Sequence, residues 1–207
     1  MWRAFRVILK LFWRLPWWVK GASAAVSPLV ALNVAVAFFG NSVVSPLSPF
    51  HVADKWSALE AYVAHRPRCV VFGHPQVWPL VAEAESRHGL PQGLLQAVID
   101  VESEGLPHRI SFAGAMGPAQ LMPGTAKQLG VTDPFETEQA IDAAARYLAQ
   151  LYQRKGDLTL AVAAYNAGPG AVQGSVPRNG ETELYVAKVM RKYKTGRPTA
   201  PPSPRNS

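Results

Sequence analysis

Three carboxylates crowd the end of one short stretch, LLQAVIDVESE at 94–104, and their spacing sorts them. Leu94, Leu95, Val98 and Val101 recur close to a 3.6-residue period, which predicts a helix over 91–103. Pro91 suits its first turn, where a missing N–H costs nothing. Glu102 follows Val98 by four and Leu95 by seven, so it falls on the apolar face. Asp100 and Glu104 are two positions away on either side and point elsewhere. A carboxyl group on an apolar face at a helix C-terminus is harder to ionise, because desolvation and the negative end of the helix dipole both oppose the charge. A Glu tuned to roughly 6–7 holds a proton near neutrality and can donate it, which is the work of a general acid. The bland alternative is an exposed residue at a fraying helix end.

The elements that must position this acid read as a helix series. Helices are expected over 78–88, 91–103, 123–129, 137–155, 158–166 and 181–193, several closed by glycine (Gly89, Gly130, Gly156). Asp157 is placed to cap LTLAVAAYN, an almost wholly apolar helix that should be buried. No long alternating strand is visible in this part, and the extended structure expected within it is at most a hairpin-like excursion near 108–116. Residues 55–65 suggest a short helix and Cys69 to Phe72 a short extended run. Cys69 is the single cysteine, so no internal disulfide or metal cluster can be built around it. It reads as a small apolar side chain.

The net charge of +7 belongs to the ends of the chain. Arg3, Arg6, Lys10, Arg14 and Lys20 stand before residue 40 without an acid, and Lys194, Arg197 and Arg205 stand in a Pro-rich tail. The middle is nearly neutral, which argues against nucleic acid as a partner. Residues 1–20 set basic residues on one helical stripe and Trp2, Phe5, Leu9, Phe12 and Trp13 largely opposite, a pattern suited to an anionic membrane surface. Residues 21–40 carry no charge and are long enough to span a bilayer core, with Pro28 and Asn33 as weak points. They read as a signal anchor with the N-terminus inside. The alternative is a cleaved signal with Ala35-Val36-Ala37 as its site. The expected organisation is therefore an anchor or signal over 1–40, a linker and N-terminal extension over 41–77, a catalytic domain over 78–193, and a disordered tail over 194–207.

Four motifs in order then point to a family. They are Glu102-Ser103; Ser111 with the GAMGPAQ run from Gly114 to Gln120; AYNAG at 164–168; and Glu181-Thr182 with Tyr185-Val186. This series resembles the lytic transglycosylases of the soluble (SLT) type. The resemblance implies a mainly α, goose-type lysozyme-like catalytic domain, here behind an N-terminal transmembrane or signal helix. It implies a peptidoglycan lytic transglycosylase, a glycosidic-bond lyase that cuts between N-acetylmuramic acid and N-acetylglucosamine and leaves a 1,6-anhydro end. One Glu suffices for that chemistry, because the substrate's own C6 hydroxyl is the nucleophile.

By the same resemblance Glu102 is the acid and base. Ser111, Gly117, Gln120, Tyr165, Asn166 and Tyr185 contact sugar or line the cleft. As plain alternatives, Ser111 is a turn serine and Tyr185 a core tyrosine. The family commonly has Gly-Leu-Met-Gln where this chain has Gly117-Pro118-Ala119-Gln120, so Pro118 and Ala119 are expected to reshape that wall. Leu106-Pro107 also departs from the usual pattern. No metal or cofactor is suggested. The implied partners are peptidoglycan glycan strands, the membrane and, by analogy with small family members, a secretion, conjugation or pilus apparatus. The implied location is the bacterial inner membrane with the catalytic domain in the periplasm, or the soluble periplasm if the signal is cleaved. Two rivals remain: a muramidase-type hydrolase, for which Asp133 or Glu181 would be the second carboxylate, and a non-catalytic peptidoglycan-binding scaffold.

Overall fold

The computed structural model describes residues 17–40, 45–46, 48–72 and 77–196. Among these, eight helices follow one another: α1 (Trp17–Gly40), α2 (Val52–Phe72), α3 (Val77–Arg87), α4 (Leu94–Glu102), α5 (Pro123–Gln128), α6 (Thr137–Lys155), α7 (Leu158–Ala167) and α8 (Glu181–Gly196). The mainly helical expectation holds. The excursion near 108–116 is reduced to two isolated bridges, Ile110 with Met116 and Met116 with Leu121.

The helix ends follow from local chemistry. The Glu136 carboxylate accepts from the Glu138 and Gln139 N–H groups at the start of α6, and Gly156, at φ 67°, closes it. Asp157 caps α7 through the Leu160 N–H at 2.9 Å, as the sequence suggests. Within α7, Ala161, Val162, Ala163 and Ala164 are all buried, and these small side chains let α6 and α8 pack closely on it. α4 packs against α3 and α8 and contributes Leu94, Leu95, Val98 and Ile99 to the core, each with no exposed surface.

The start of α4 is held from α3. Glu85 is buried, and its carboxylate accepts from the Gly93 N–H at 2.8 Å and the Gln96 N–H at 3.0 Å. Those are two of the N–H groups that a helix start leaves without an internal partner. At the other end of the same helix stands Glu102.

Three differences from the sequence reading stand out. α2 runs unbroken from Val52 to Phe72, so the expected extended run at 69–72 is helical; the β-preference of Val70 and Val71 is weak and yields to helix continuity. The Cys69 side chain lies outside the described residues. α8 continues to Gly196, three residues into the expected tail; Tyr193 is buried and the Thr195 hydroxyl donates to the Arg191 and Lys192 carbonyls. The rest of the tail lies outside the described residues, as does the basic stretch before Trp17.

Residues 21–40 are helical as expected, but Leu32, Asn33, Val36 and Gly40 are buried, and α1 packs along α2. Among the described residues no helix is long and apolar enough to cross a membrane. The spanning role of 21–40 therefore rests on sequence pattern alone.

Removing the Glu85 carboxylate (Glu85→Ala) takes the partner from two part-buried N–H groups at the helix start and leaves a gap at a buried position, and should cost on the order of 1–3 kcal/mol in urea unfolding, with Glu85→Gln recovering part of the loss.

Candidate active site

Glu102, Ser111, Gln120, Tyr165 and Asn166 converge on one cleft of about 390 Å³, together with Phe112, Met122, Tyr147 and Glu181. Two helix ends and one loop supply these five candidates. α4 delivers Glu102 from its last turn. The C-terminal end of α7 delivers Tyr165 and Asn166, and the loop after α4 supplies Ser111 and Gln120.

Tyr185 on α8 is buried and donates its hydroxyl to Glu102 Oε1 at 2.6 Å. It is absent from the cleft lining and buried as a core tyrosine would be, and it reaches the site through Glu102. Asp100 and Glu104 do point elsewhere: Asp100 pairs with Lys192 on α8, and Glu104 is exposed in a turn.

The electrostatics match the expectation for Glu102. Burial pushes its pKa from 4.5 up to about 7, against the Tyr185 hydrogen bond and the positive charge of Arg109, which both favour the ionised form. Burial also raises Tyr185 and Tyr165 well above the usual phenol value, and the Glu102 charge adds to it. Both phenols therefore keep their protons and act as donors.

The GAMGPAQ loop is fastened through its main chain. Ser103 is fully buried, and its hydroxyl donates to the Pro118 carbonyl at 2.7 Å and accepts from the Gly105 N–H at 3.1 Å. Tyr165 donates to the Ala119 carbonyl at 3.0 Å. Pro118 and Ala119 are buried and absent from the cleft lining, so their side chains do not form the surface of that wall. What these two positions supply to Ser103 and Tyr165 is carbonyl oxygen, and any residue has one.

Gly117 does not line the cleft either. A Cβ there would lie 2.0 Å from the Pro134 carbonyl oxygen, and its φ is 70°, so the position is glycine for close packing. The Gln120 amide nitrogen donates to the Arg109 and Gly117 carbonyls at 3.1 and 2.8 Å, so that group braces the loop. The Ser111 hydroxyl accepts from the Ala113 and Ala115 N–H groups at 3.2 and 3.0 Å, shaping its turn while facing the cleft.

Sequence reasoning missed the residues that join these pieces. Asn179 accepts from the Thr182 N–H at 2.8 Å, and the Thr182 hydroxyl donates to Asn166 Oδ1 at 3.0 Å. This relay ties the end of α7 to the start of α8, one turn before Tyr185. Asn179 as a helix-start residue was legible from its spacing to Thr182; the link to Asn166 was not. Of the two candidate second carboxylates, Glu181 lines the cleft, whereas Asp133 is bonded to His65 at 2.9 Å. Among the described residues no group of three or more His, Cys, Asp or Glu side chains could hold a metal ion.

Comparison with known proteins agrees with this geometry. A family model described as the transglycosylase SLT domain matches residues 79–186, just over half the chain. A protein of Enterobacteria phage PRD1 named transglycosylase is 36% identical over 119 residues, covering 58% of this chain and 43% of that protein. The membrane-bound lytic murein transglycosylase F of Desulfosudis oleivorans is 41% identical over 106 residues, covering 48% of this chain and 23% of that protein. An inactive mutant of the lytic transglycosylase Slt from Pseudomonas aeruginosa shares the fold, with a TM-score of 0.51 at 23% identity over 72% of this chain and 31% of that one. The chain thus spans less than half the length of each of these relatives.

The raised Glu102 pKa has a thermodynamic consequence. The native state binds this proton more tightly than the unfolded chain, so the associated stability is fully present below about pH 4.5 and lost as pH rises through about 7. Glu102→Gln removes that dependence. The variant should exceed the wild type by on the order of 2–3 kcal/mol at pH 8 and differ little at pH 4, as read by urea unfolding at the two pH values.

Proposed function

Because the chain belongs to the transglycosylase SLT domain family, we propose that it is a peptidoglycan lytic transglycosylase with Glu102 as its acid and base. The observation that carries this reading is the half-buried Glu102 carboxyl group, poised near neutrality, bonded to Tyr185 and open to a cleft edged with polar side chains. In the first step Glu102 gives its proton to the glycosidic oxygen as the bond to C1 of N-acetylmuramic acid breaks. The positive charge left at the ring then faces the new carboxylate. In the second step that carboxylate takes the proton of the C6 hydroxyl, and O6 bonds to C1. Glu102 is again protonated, no water is consumed, and the product carries a 1,6-anhydro ring.

The Tyr185 hydroxyl is suited to both steps, since it supports the carboxylate that exists between them. Ser111 and Asn166 stand where a glycan strand would lie along the cleft, and Gln120 and Gly117 hold the loop beneath it. For location, the basic, Trp-rich segment before residue 21 and the names of the membrane-bound relatives support membrane association with the domain in the periplasm. A role in local wall opening for a secretion, conjugation or pilus apparatus is part of the proposal by analogy with small family members.

Hydrolysis is a second reading with one observation in its favour, the presence of Glu181 in the same cleft. A true hydrolase needs a base for water across the scissile bond. Product mass separates the two, because hydrolysis adds one water to the new end.

Peptidoglycan digested with the full chain should yield anhydromuropeptides by mass spectrometry, and Glu102→Gln should reduce their release by at least about a hundredfold. Hydrated reducing ends would instead establish the hydrolase. The wild-type kcat/KM should fall as pH rises through about 7, where Glu102 loses its proton. Tyr185→Phe removes a bond that favours the ionised form, so in that variant the alkaline limb should move to higher pH while kcat drops.

A further inference from the structure

The region matched by the family begins at residue 79, yet one wall of the cleft leans on chain that precedes it. Ser111, Phe112 and Ala113 line the cleft between two points of contact with the N-terminal helices. At the first, the Ile110 N–H donates to the Gly40 carbonyl at the end of α1 at 3.1 Å, and a Cβ on Gly40 would lie 2.5 Å from Ile110 Cβ. At the second, a Cβ on Gly114 would lie 2.6 Å from the Asp54 carbonyl carbon and 2.8 Å from the Lys55 nitrogen, so the loop touches the first turn of α2 main chain to main chain. The His51 and Phe112 rings also meet edge to face, with centroids 6.1 Å apart.

α1 and α2 are joined by a buried polar contact. Lys55 has no exposed surface, and its ammonium donates to Asn33 Oδ1 at 2.7 Å. The Asn33 amide in turn donates to the Leu29, Pro46 and Ser48 carbonyls at 3.0–3.1 Å. Lys55 thus bears on the cleft twice: its side chain fixes α1, whose end holds Ile110, and its own backbone abuts Gly114. Farther along α2, His65 bonds to Asp133 at 2.9 Å and Tyr62 packs on Phe135, which seats the pair on the domain.

We propose that residues 29–40 and 48–65 are a buttress for the Ser111 wall of the cleft, with Asn33, Gly40 and Lys55 as positioning residues for glycan binding. The kinetic part of this inference rests on the activity proposed above. The buttress meets the cleft on the side of Ser111 and α5. Glu102, Tyr165 and Tyr185 are carried by α4, α7 and α8, which pack on one another or through α3 and α6. Loosening the buttress therefore weakens glycan binding and leaves the acid–base group as it is. A contact that served stability alone would lower the amount of active enzyme and leave KM in place.

The test uses the full chain with Lys55→Met, which keeps the stem and removes the ammonium, Asn33→Leu, and the double variant. KM for soluble, uncrosslinked glycan strands should rise at least about fivefold, with kcat within about twofold and the alkaline limb unmoved. The double variant should be no worse than about twofold beyond either single one, because the two side chains act as a pair. Amide hydrogen exchange over residues 110–115 should quicken at least about tenfold. Gly40→Val attacks the other contact and should give the same signature, so the inference stays exposed should the Lys55 variant fail to fold. An unchanged KM, or unaltered exchange in the loop, overturns the buttress. If the wild type releases no muropeptides, the activity reading fails, and the exchange measurement still decides the buttress by itself.

Discussion

The hydrogen bond from Tyr185 to Glu102 is the interaction on which the site depends. It joins α4 to α8 across 83 residues of sequence and sets the balance that makes the carboxyl group useful. Burial alone would hold the Glu102 pKa higher still, giving an acid slower to release its proton. A fully supported carboxylate would sit near 4 and never hold one. The Tyr185 hydroxyl and the Arg109 charge pull against burial, and the compromise is about 7. To keep that compromise, both helix ends must stay in place to within a fraction of an ångström. Glu85 at the start of α4 and the Asn179–Thr182–Asn166 relay at the start of α8 are the polar contacts that do so.

The loop between Gly114 and Gln120 follows a different logic. Its contacts to Ser103 and Tyr165 run through the Pro118 and Ala119 carbonyls, which any residue can offer. What cannot vary so freely is Gly117, where the chain passes against Pro134. This explains how the loop accommodates two departures from the common family pattern while its ends remain in register. The cleft face is carried by the flanking residues.

Much of this was legible in the sequence because it is local. The expected span of α6 matches, its periodicity and closing glycine being strong signals, and Asp157 caps α7 as its type and place suggest. Glu102 was separable from Asp100 and Glu104 by helical spacing alone. The remainder is long-range and leaves no mark on periodicity. Nothing near Tyr185 signals Glu102, and nothing near Ser103 signals the Pro118 carbonyl. Gln120 and Gly117 were singled out by motif as sugar-binding; Gly117 is absent from the cleft lining and the Gln120 amide braces the loop, a task that residue type cannot distinguish from binding sugar. Residues 52–72 misled because the Pro67-Arg68-Cys69-Val70-Val71 run carries local signals against a helix, and continuity with the preceding turns overrode them.

The N-terminal helices bring the membrane and the cleft into one problem. An apolar segment such as 21–40 invites insertion into lipid, and lipid would satisfy its exposed residues Val26, Val34 and Phe38. Yet the same helix supplies the oxygen that receives the buried Lys55 ammonium and the carbonyl that receives Ile110. Withdrawing residues 29–40 into a bilayer would take the Asn33 acceptor away from the Lys55 ammonium. It would also strip the Ser111 loop of one of its two supports. Anchoring that acts on the basic, Trp-rich residues ahead of Leu29 avoids both penalties and holds the cleft wall in its present shape. The burial of Asn33, Val36 and Gly40 ties the second half of this helix to the domain, whatever holds the residues ahead of it.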